Sequence, residues 1–174
     1  DPLQKKNVID DHPDVAAKLR RHLDDWWASV GDIANEPQRL IIGNDAENPM
    51  MLTACEWLDV FIDQQRQIRR GAQKNGYWEL EVAQAGRYRF ELRRWPREAN
   101  LPLGAGYNGE GALPIKQARL FINREMTAKP VKPSDKASTF TVTHPKGPTR
   151  LHTWFDESRS NPICGAYYVH VKRL

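Results

Sequence analysis

The sequence predicts a mainly β protein, an antiparallel β-sandwich of jelly-roll type preceded by one amphipathic α-helix. After Glu36-Pro37 the apolar residues stop recurring at the roughly 3.6-residue period of a helix and begin to alternate, as they do in strands. About seven short alternating runs follow without helical patterns between them, which favours antiparallel sheets packed face to face over a parallel α/β fold. We therefore expect two parts, a helical segment of residues 1–34 and a β-sandwich of residues 35–174.

The helix is predicted to begin at Pro13, with Asp11 or His12 as its cap, because proline suits the first helical position. Gly31 is expected to end it, in the left-handed conformation that commonly terminates helices. A lone helix gains most of its stability by burying its apolar face, so this face requires a partner surface. The apolar face consists of Val15, Ala16, Leu19, Leu23, Trp26, Trp27 and Val30.

Residues 77–95 predict a β-hairpin whose turn is Gln84-Ala85-Gly86. On either side of this turn apolar residues alternate with polar ones, so one face of the hairpin is expected to lie in the core. On the outer face, glutamates of one strand are expected to pair with arginines of the other, as Glu79 and Glu81 would with Arg89. The core-facing residues are predicted to be Trp78, Leu80, Val82, Tyr88, Phe90 and Leu92.

Further alternating runs predict the remaining strands of the sandwich. One stretch, Leu58–Arg70, is compatible with either a helix or a strand, because its second half, Asp63–Arg70, is largely polar. The predicted strands are Arg39–Ile42, Met50–Glu56, Ala118-Leu120-Ile122, Phe140-Val142, Leu151-Thr153-Phe155 and Tyr167-Val169-Val171.

The charge distribution argues against nucleic acid as a partner. The chain of 174 residues has a net charge of +4, but its 26 Lys and Arg residues are interleaved with 22 Asp and Glu residues. A nucleic-acid footprint requires one sign of charge clustered on one face. The longest apolar runs are also far shorter than the roughly 18 residues that a membrane span requires. We therefore expect neither nucleic acid nor a membrane as a partner.

The motifs of catalysis and metal binding are not found in the sequence. Gly104-Ala105-Gly106 lacks the Gly-Lys-Ser/Thr ending of a phosphate-binding loop and is interpreted as a flexible connection. His144, His152 and His170 could ligate zinc if their strands were adjacent, but their spacing matches no zinc motif. The two cysteines are too few for a disulfide framework. We expect no catalytic residue, cofactor or metal ligand in this chain.

Tryptophans at strand ends are the candidate binding residues. Trp95 is flanked by Arg93 and Arg94, while Trp57 and Trp154 also lie at or beyond strand ends. An exposed indole beside an arginine can stack on a sugar ring while the guanidinium holds a carboxylate or a sulfate. Alternatively, each tryptophan fills the core or closes its end, as large aromatic residues usually do. The sequence leaves both interpretations open.

Two stretches resemble the C-terminal region of bacterial arylsulfatase-type sulfatases. The first is Asp1-Pro2-Leu3-Gln4-Lys5-Lys6-Asn7-Val8, then His12-Pro13-Asp14-Val15, leading into a helix that contains Trp26-Trp27. It is similar to the segment that packs a long helix on the small C-terminal sheet of such enzymes. The second is similar to a β-rich extension of some bacterial sulfatases. It consists of Leu52-Thr53-Ala54-Cys55-Glu56-Trp57, Ile68-Arg69-Arg70-Gly71, Asn75-Gly76-Tyr77-Trp78, Ala85-Gly86-Arg87-Tyr88, Glu91-Leu92-Arg93-Arg94-Trp95-Pro96 and Gly165-Ala166-Tyr167-Tyr168-Val169.

This resemblance implies a non-catalytic C-terminal domain of a sulfatase. Sulfatases carry a Cys/Ser-x-Pro/Ala-x-Arg motif, whose first residue becomes formylglycine, and a calcium site; neither Cys55 nor Cys164 begins such a motif. The chain is therefore expected to be an inactive piece of a longer enzyme for sulfated sugars or aryl sulfates. Calcium and formylglycine would belong to a catalytic domain upstream of Asp1, which would be its partner. The family also implies a periplasmic or secreted location.

The alternative function is that of an autonomous carbohydrate-binding module. In this hypothesis Arg93, Arg94, Trp95, Trp57 and Trp154 form a platform for a glycan, including a sulfated one. A third possibility is a protein-interaction domain, which would require the aromatic strand ends to form one contiguous apolar patch.

Overall fold

The computed structural model describes residues 1–159 and 161–174. The chain divides into two compact units, Asp1–Gln38 and Arg39–Leu174, which are described separately below. Among the described residues, no helix is long and apolar enough to cross a membrane.

The first unit contains α1, which spans Pro13–Ala34. Pro13 occupies its first turn, as predicted, and His12 is the cap residue, although its side chain makes no capping hydrogen bond. The prediction that Gly31 ends the helix is wrong. The helix continues through Gly31 to Ala34, because one glycine lowers the stability of a helix by only about 1 kcal/mol. The side-chain nitrogen of Asn35 then donates to the carbonyl of Gly31 at 3.0 Å, which satisfies one of the last helical carbonyls.

The second unit is built from strands with one short helix and two 3₁₀ turns in its described residues. The elements are β1 (Leu40–Ile42), β2 (Met50–Thr53), a 3₁₀ turn (Ala54–Glu56), α2 (Gln65–Arg69), β3 (Tyr77–Val82), β4 (Gly86–Arg93), a 3₁₀ turn (Arg97–Ala99), β5 (Gln117–Ile122), β6 (Glu125–Pro130), β7 (Ser138–His144), β8 (Gly147–Ser158), β9 (Asn161–Cys164) and β10 (Tyr168–Arg173).

These strands form two sheets. One sheet has six strands in the order β1-β3-β8-β5-β6, with β9 paired to β8, and the other has four in the order β2-β10-β4-β7. The strand pairs of the described residues are antiparallel, apart from the parallel pair of β1 and β3. The predicted fold class, a mainly β sandwich preceded by one amphipathic helix, is confirmed.

The predicted hairpin of residues 77–95 is wrong, although both of its strands exist. β3 pairs with β1 and β8 in the six-stranded sheet, whereas β4 pairs with β10 and β7 in the four-stranded sheet. The chain therefore crosses from one sheet to the other between Val82 and Gly86. The predicted pairing of glutamates on β3 with arginines on β4 fails for the same reason, and Glu79 instead accepts a hydrogen bond from Arg150 Nε at 2.8 Å.

The core lies between the two sheets. The six side chains predicted to point inward from β3 and β4 are all fully buried, because the inner faces of both sheets border the same core. Phe140 on β7 and Phe155 on β8 pack in the same cluster. Alternation in the sequence therefore located the core correctly even where the strand pairing was wrong.

Three elements of the second unit were missed or left undecided by the sequence pattern. β6 follows β5 through Asn123-Arg124, both with positive φ, and all six of its side chains are exposed, so it has no apolar alternation. β9 is short and contains Pro162. Within Leu58–Arg70, the described structure contains the short helix α2, of which only Ile68 is buried.

Candidate functional site

A groove lies at one end of the four-stranded sheet, where β10 begins and β2 and β4 end. It consists of two adjoining cavities of about 180 and 60 Å³. Gln65 and Ile68 of α2 and Tyr168 of β10 line both cavities. Concave sites lined by aromatic rings with a few convergent polar groups are the usual form of small-ligand sites. We therefore take this groove as the candidate functional site.

The smaller cavity has aromatic walls. Trp95 and Tyr107 lie with their ring centroids 6.2 Å apart, and the Trp95 Nε1 donates a hydrogen bond to the carbonyl of Ala105 at 3.2 Å. The guanidinium of Arg69 lies over the Tyr107 ring, 4.5 Å from its centroid. Because Arg69 Nη2 also donates to Gln65 Oε1 at 3.2 Å, α2 holds this cation in place beside the rings.

The larger cavity is more polar. It is lined by the exposed side chains of Asp63 and Gln64, the free thiol of Cys55 and, from β2, Thr53. The Thr53 backbone nitrogen donates to the Glu56 carboxylate at 2.7 Å, which fixes the 3₁₀ turn that carries Cys55. This side of the groove thus offers hydrogen-bond donors and acceptors.

Tyr168 is half-buried between the two cavities. Burial raises the pKa of its hydroxyl, the nearby Cys55 and Glu98 raise it further, and Arg69 lowers it. The phenol therefore stays neutral at physiological pH and can both donate and accept a hydrogen bond.

Arg94 is the fully buried residue that connects the two walls of the groove. Its Nη1 donates to the carbonyl of Ala105 at 2.9 Å, and its Nη2 donates to the carbonyls of Ile68, at 3.3 Å, and Gly111. Its guanidinium also lies 4.5 Å from the centroid of the Trp95 ring. Burial lowers the pKa of Arg94, and the hydrogen bonds to carbonyl dipoles compensate part of its lost hydration. Arg94 thereby positions α2 and the 105–111 loop without reaching the solvent.

Two glycines allow the 105–111 loop to approach α2. Gly71 and Gly111 both have positive φ, +76° and +69° respectively. A Cβ at Gly111 would overlap the Arg69 carbonyl oxygen and lie 2.7 Å from the Gly71 nitrogen. Residue 111 must therefore be glycine for two reasons: a side chain would clash with α2, and the positive φ is unfavourable for other residues.

The structure separates the five residues predicted to bind a glycan. Trp57 is buried in the core, with ring centroids 5.6 Å from Trp78 and 5.7 Å from Tyr167, so it offers no ring face to a ligand. Trp95 is 3% exposed and contributes only an edge to the groove wall. Arg94 is fully buried, so its guanidinium does not reach a ligand at the surface. For these three residues the interpretation as core residues at the end of the sandwich describes the structure.

Arg93 and Trp154 lie elsewhere. Arg93 Nε donates to the Glu91 carboxylate at 2.5 Å, so its charge is already paired. Trp154 is on the outer face of the six-stranded sheet, stacked on His152 with centroids 4.0 Å apart and with Arg119 4.8 Å from its centroid. The predicted platform therefore does not exist as one surface. Sequence reasoning missed Arg69 at the end of α2, Tyr107 in the 105–111 loop and Tyr168 at the start of β10, which share no sequence signal.

Trp154 belongs to a layer of planar side chains on that outer face. Tyr77 and His152 have ring centroids 6.2 Å apart, and Arg150 lies 4.0 Å from the Tyr77 centroid. Burial lowers the pKa of His152; Asp59 nearby raises it, and Arg150 and Arg119 lower it. These rings pack on one another and against guanidinium groups on the outer face of a sheet, whereas the groove is a concavity, the usual form of a ligand site. The groove is the better candidate for ligand binding.

The three histidines considered as zinc ligands lie on different surfaces. His144 is buried on β7, His152 is on the outer face of the six-stranded sheet, and His170 alternates with the buried Val169 and Val171 on β10. No group of three or more His, Cys, Asp or Glu in residues 1–159 and 161–174 is arranged to hold a metal ion.

Cys164 is buried, and burial raises the pKa of its thiol to about 12, so it is not a reactive thiolate.

Glu91 forms the main charged cluster beside the groove and predicts a pH dependence of stability. Burial raises its pKa, but hydrogen bonds from Arg97 and Arg93 outweigh this effect and lower the pKa from 4.5 to about 2. A lowered carboxylate pKa contributes stability that is present above the unfolded value and is lost as the pH falls toward the folded value. We expect Glu91→Gln to cost on the order of 1 kcal/mol at pH 7, since Arg97 is half exposed and solvent screens the pair.

Urea denaturation of both proteins over a pH series tests this expectation. The difference in the free energy of unfolding between the parent protein and Glu91→Gln should shrink as the pH falls from 4.5 toward 2. A difference that is constant across this range would show that the carboxylate charge of Glu91 does not stabilise the fold.

Comparisons with known proteins give structural neighbours only. No family model matches the chain, and no curated protein matches it. The CBM35 of Abf62 from Cellvibrio japonicus is similar with a TM-score of 0.44 and 12% identity, covering 71% of this chain and 91% of that one. A family 35 carbohydrate-binding module from Clostridium thermocellum has a TM-score of 0.36 and 14% identity over 74% of this chain and 90% of that one. A ruminal GH26 endo-β-1,4-mannanase has a TM-score of 0.40 and 13% identity over 80% of this chain and 27% of that one.

These findings correct the interpretation as a sulfatase C-terminal domain. The three solved structures named above are carbohydrate-binding modules and a mannanase, and none of the three is a sulfatase.

Proposed function

We propose that the second unit binds carbohydrate and that the groove holds the terminal residues of a neutral glycan. The observation that carries the proposal is the juxtaposition of Tyr107 and Tyr168 with the polar side chains of Arg69 and Gln65 in one concave site. The buried Trp95 packs against Tyr107 and supports its ring. A sugar presents apolar C–H surfaces and a ring of hydroxyls. An amphipathic site that offers both ring surface and hydrogen-bonding groups is suited to it.

The size of the groove favours a short segment of glycan. Its cavities of about 180 and 60 Å³ are smaller than the roughly 300–1,000 Å³ of sites for drug-sized ligands. The groove accommodates one or two sugar residues better than a long internal stretch of polysaccharide. We therefore expect it to recognise the end of a chain.

The charges at the groove favour a neutral ligand over a sulfated one. Besides Arg69, the groove region contains the carboxylates of Asp63, which lines the larger cavity, and of Glu98, which acts on Tyr168. The basic residues expected to hold sulfate are not available, because Arg93 is paired with Glu91 and Arg94 is buried. Because most structural polysaccharides lie outside the cytoplasm, this function fits a periplasmic or secreted protein.

Removal of the Tyr107 ring tests this proposal. We expect the whole chain to bind at least one neutral polysaccharide or its oligosaccharides in calorimetric titrations against a panel of xylan, mannan, glucan and arabinan. Tyr107→Ala removes a ring from the groove wall and the surface on which Arg69 rests. We expect it to weaken binding about tenfold, which corresponds to roughly 1.4 kcal/mol.

The matched control is Tyr77→Ala, which removes the same ring from the outer face of the six-stranded sheet. Its affinity should stay within about twofold of the parent protein. Binding should also persist at raised salt, because contacts to a neutral sugar are not screened. Equal losses in both variants would place the site elsewhere, and the absence of binding to every polysaccharide of the panel would refute the proposal.

A further inference from the structure

The first unit carries an apolar surface that the proposed function does not use. Of the residues of α1, none is buried, and Leu19, Leu23 and Trp26 are 62%, 50% and 53% exposed. The helix and residues 1–9 border an open concavity of about 1040 Å³, into which Leu19 and Leu23 project from its lining. An exposed apolar patch of this kind is typical of an interaction site.

The spacing of the apolar residues along α1 is that of a coiled coil. Six of them recur at alternating intervals of three and four residues, which is the a/d pattern of a heptad repeat, while Val15 and Trp27 flank this series. This pattern defines a narrow seam that fits a second helix rather than a sheet or a small molecule. The seam consists of Ala16, Leu19, Leu23, Trp26, Val30 and Ile33.

We propose that α1 pairs with α1 of a second copy of this chain, in antiparallel orientation about a two-fold axis. In an antiparallel coiled coil each a residue faces a d residue of the other helix. One register satisfies every position of the seam, with Leu23 opposite Trp26, Leu19 opposite Val30 and Ala16 opposite Ile33 of the second copy. Each layer then combines a smaller with a larger side chain, which is how facing residues interdigitate.

The charges of α1 select the antiparallel orientation. Lys18, Arg20 and Arg21 lie in its N-terminal half, whereas the C-terminal half, from residue 23 onward, contains Asp24, Asp25 and Asp32 and no Lys or Arg. An antiparallel pair places the basic half of each helix beside the acidic half of the other. A parallel pair would place like charges together, which is unfavourable.

The flanking positions add a specific contact. Arg20 and Trp27 both occupy e positions of the repeat, and e positions face each other across an antiparallel pair. The guanidinium of Arg20 can then lie against the exposed Trp27 ring of the second copy, as a cation–π pair. Both copies make this contact because the interface is two-fold symmetric.

The oligomeric state of the full chain tests the proposal. Sedimentation equilibrium over a range of micromolar concentrations should show reversible association of monomers into dimers. Leu23→Glu places a carboxylate in the seam of both helices, and we expect it to weaken dimerisation at least thirtyfold. Ala28→Glu adds the same charge at the f position, on the opposite side of the helix, and should change the dimer affinity less than threefold.

Cross-linking tests the orientation. In a Cys55→Ser background, a mixture of His22→Cys and Ser29→Cys proteins should yield a mixed dimer with a short bismaleimide, because these g positions face each other only in the antiparallel pair. His22→Cys alone should give little product. Efficient cross-linking of His22→Cys to itself would show a parallel pair and overturn the proposed orientation.

A protein that stays monomeric at every concentration, or that responds equally to Leu23→Glu and Ala28→Glu, would overturn the proposal as a whole. Glycan titrations of Leu23→Glu separate this result from the proposed function. The groove lies in the second unit, so loss of dimerisation and loss of glycan binding are independent outcomes.

Discussion

Replacing Arg94 with methionine is expected to lower the free energy of unfolding by about 3–5 kcal/mol and to abolish glycan binding. Methionine fills much of the same space but cannot donate to the carbonyls of Ile68, Ala105 and Gly111. The carbonyls of Ile68 and Ala105 would each keep one other donor, the Gly71 nitrogen and Trp95 Nε1, whereas that of Gly111 would lose its Arg94 donor in a partly buried position. Domains are typically stable by only about 5–15 kcal/mol, so this loss is a large fraction of the total. Urea denaturation followed by circular dichroism measures it.

The adjacent residue provides the control. Arg93→Met removes the same charge from the preceding position, the last residue of β4. The side chain of Arg93 is partly exposed and bonds only to Glu91 among the contacts that the described residues show. We expect a cost of about 1 kcal/mol or less. If the Arg94 variant were no less stable than the Arg93 variant, Arg94 would not be the residue that joins the two walls. A chain of normal stability that has lost glycan binding would indicate that Arg94 positions the groove without supporting the fold.

Gly111→Ala is expected to have the second large effect, a loss of about 3 kcal/mol of stability together with weakened glycan binding. The new methyl group would overlap the Arg69 carbonyl oxygen and so push the 105–111 loop away from α2. Arg69 and Tyr107 would then separate, and the cation would leave the ring. Urea denaturation and calorimetric titration with the bound glycan measure the two effects.

Gly109→Ala separates steric from conformational cost. Gly109 also has a positive φ, +84°, but a Cβ there would meet nothing within 4 Å. Only the cost of the left-handed conformation remains, about 1–2 kcal/mol. Gly111→Ala should therefore be clearly less stable than Gly109→Ala. Equal stabilities would mean that the loop and α2 are not in close contact.

The sequence predicted which side chains of the sandwich point inward better than it predicted which strands pair. Alternation with a period of two reports only on whether one face of a strand is buried. In β3 and β4 that face is the same core, whether the strands belong to one sheet or to two. Pairing is decided by contacts distant in sequence, such as that of Trp78 with Leu151, on which local patterns carry no information.

The candidate site was predicted only in part. The segment Arg93-Arg94-Trp95 was identified, but its side chains were expected at the surface, and Arg94 and Trp95 are buried. An arginine is rarely buried without an acidic partner, and here backbone carbonyls of α2 and of the 105–111 loop replace that partner. A pattern of residue types does not indicate which backbone carbonyls will lie beside a given side chain. Tyr107 and Arg69 could not have been paired either, since the close approach of their segments depends on Gly71 and Gly111.

The crossing of the chain between β3 and β4 affects the time course of folding. β3 and β4 are neighbours in sequence but do not form a local hairpin. Their hydrogen-bond partners lie far from them along the chain, β1 and β8 for β3, and β7 and β10 for β4. Large loops must close before the hydrogen bonds between these strands can form, and closing a loop lowers the conformational entropy of the chain. Folding of this unit therefore belongs to the slow, millisecond-to-second regime of β-proteins, in which most of the chain must be present before the core can form.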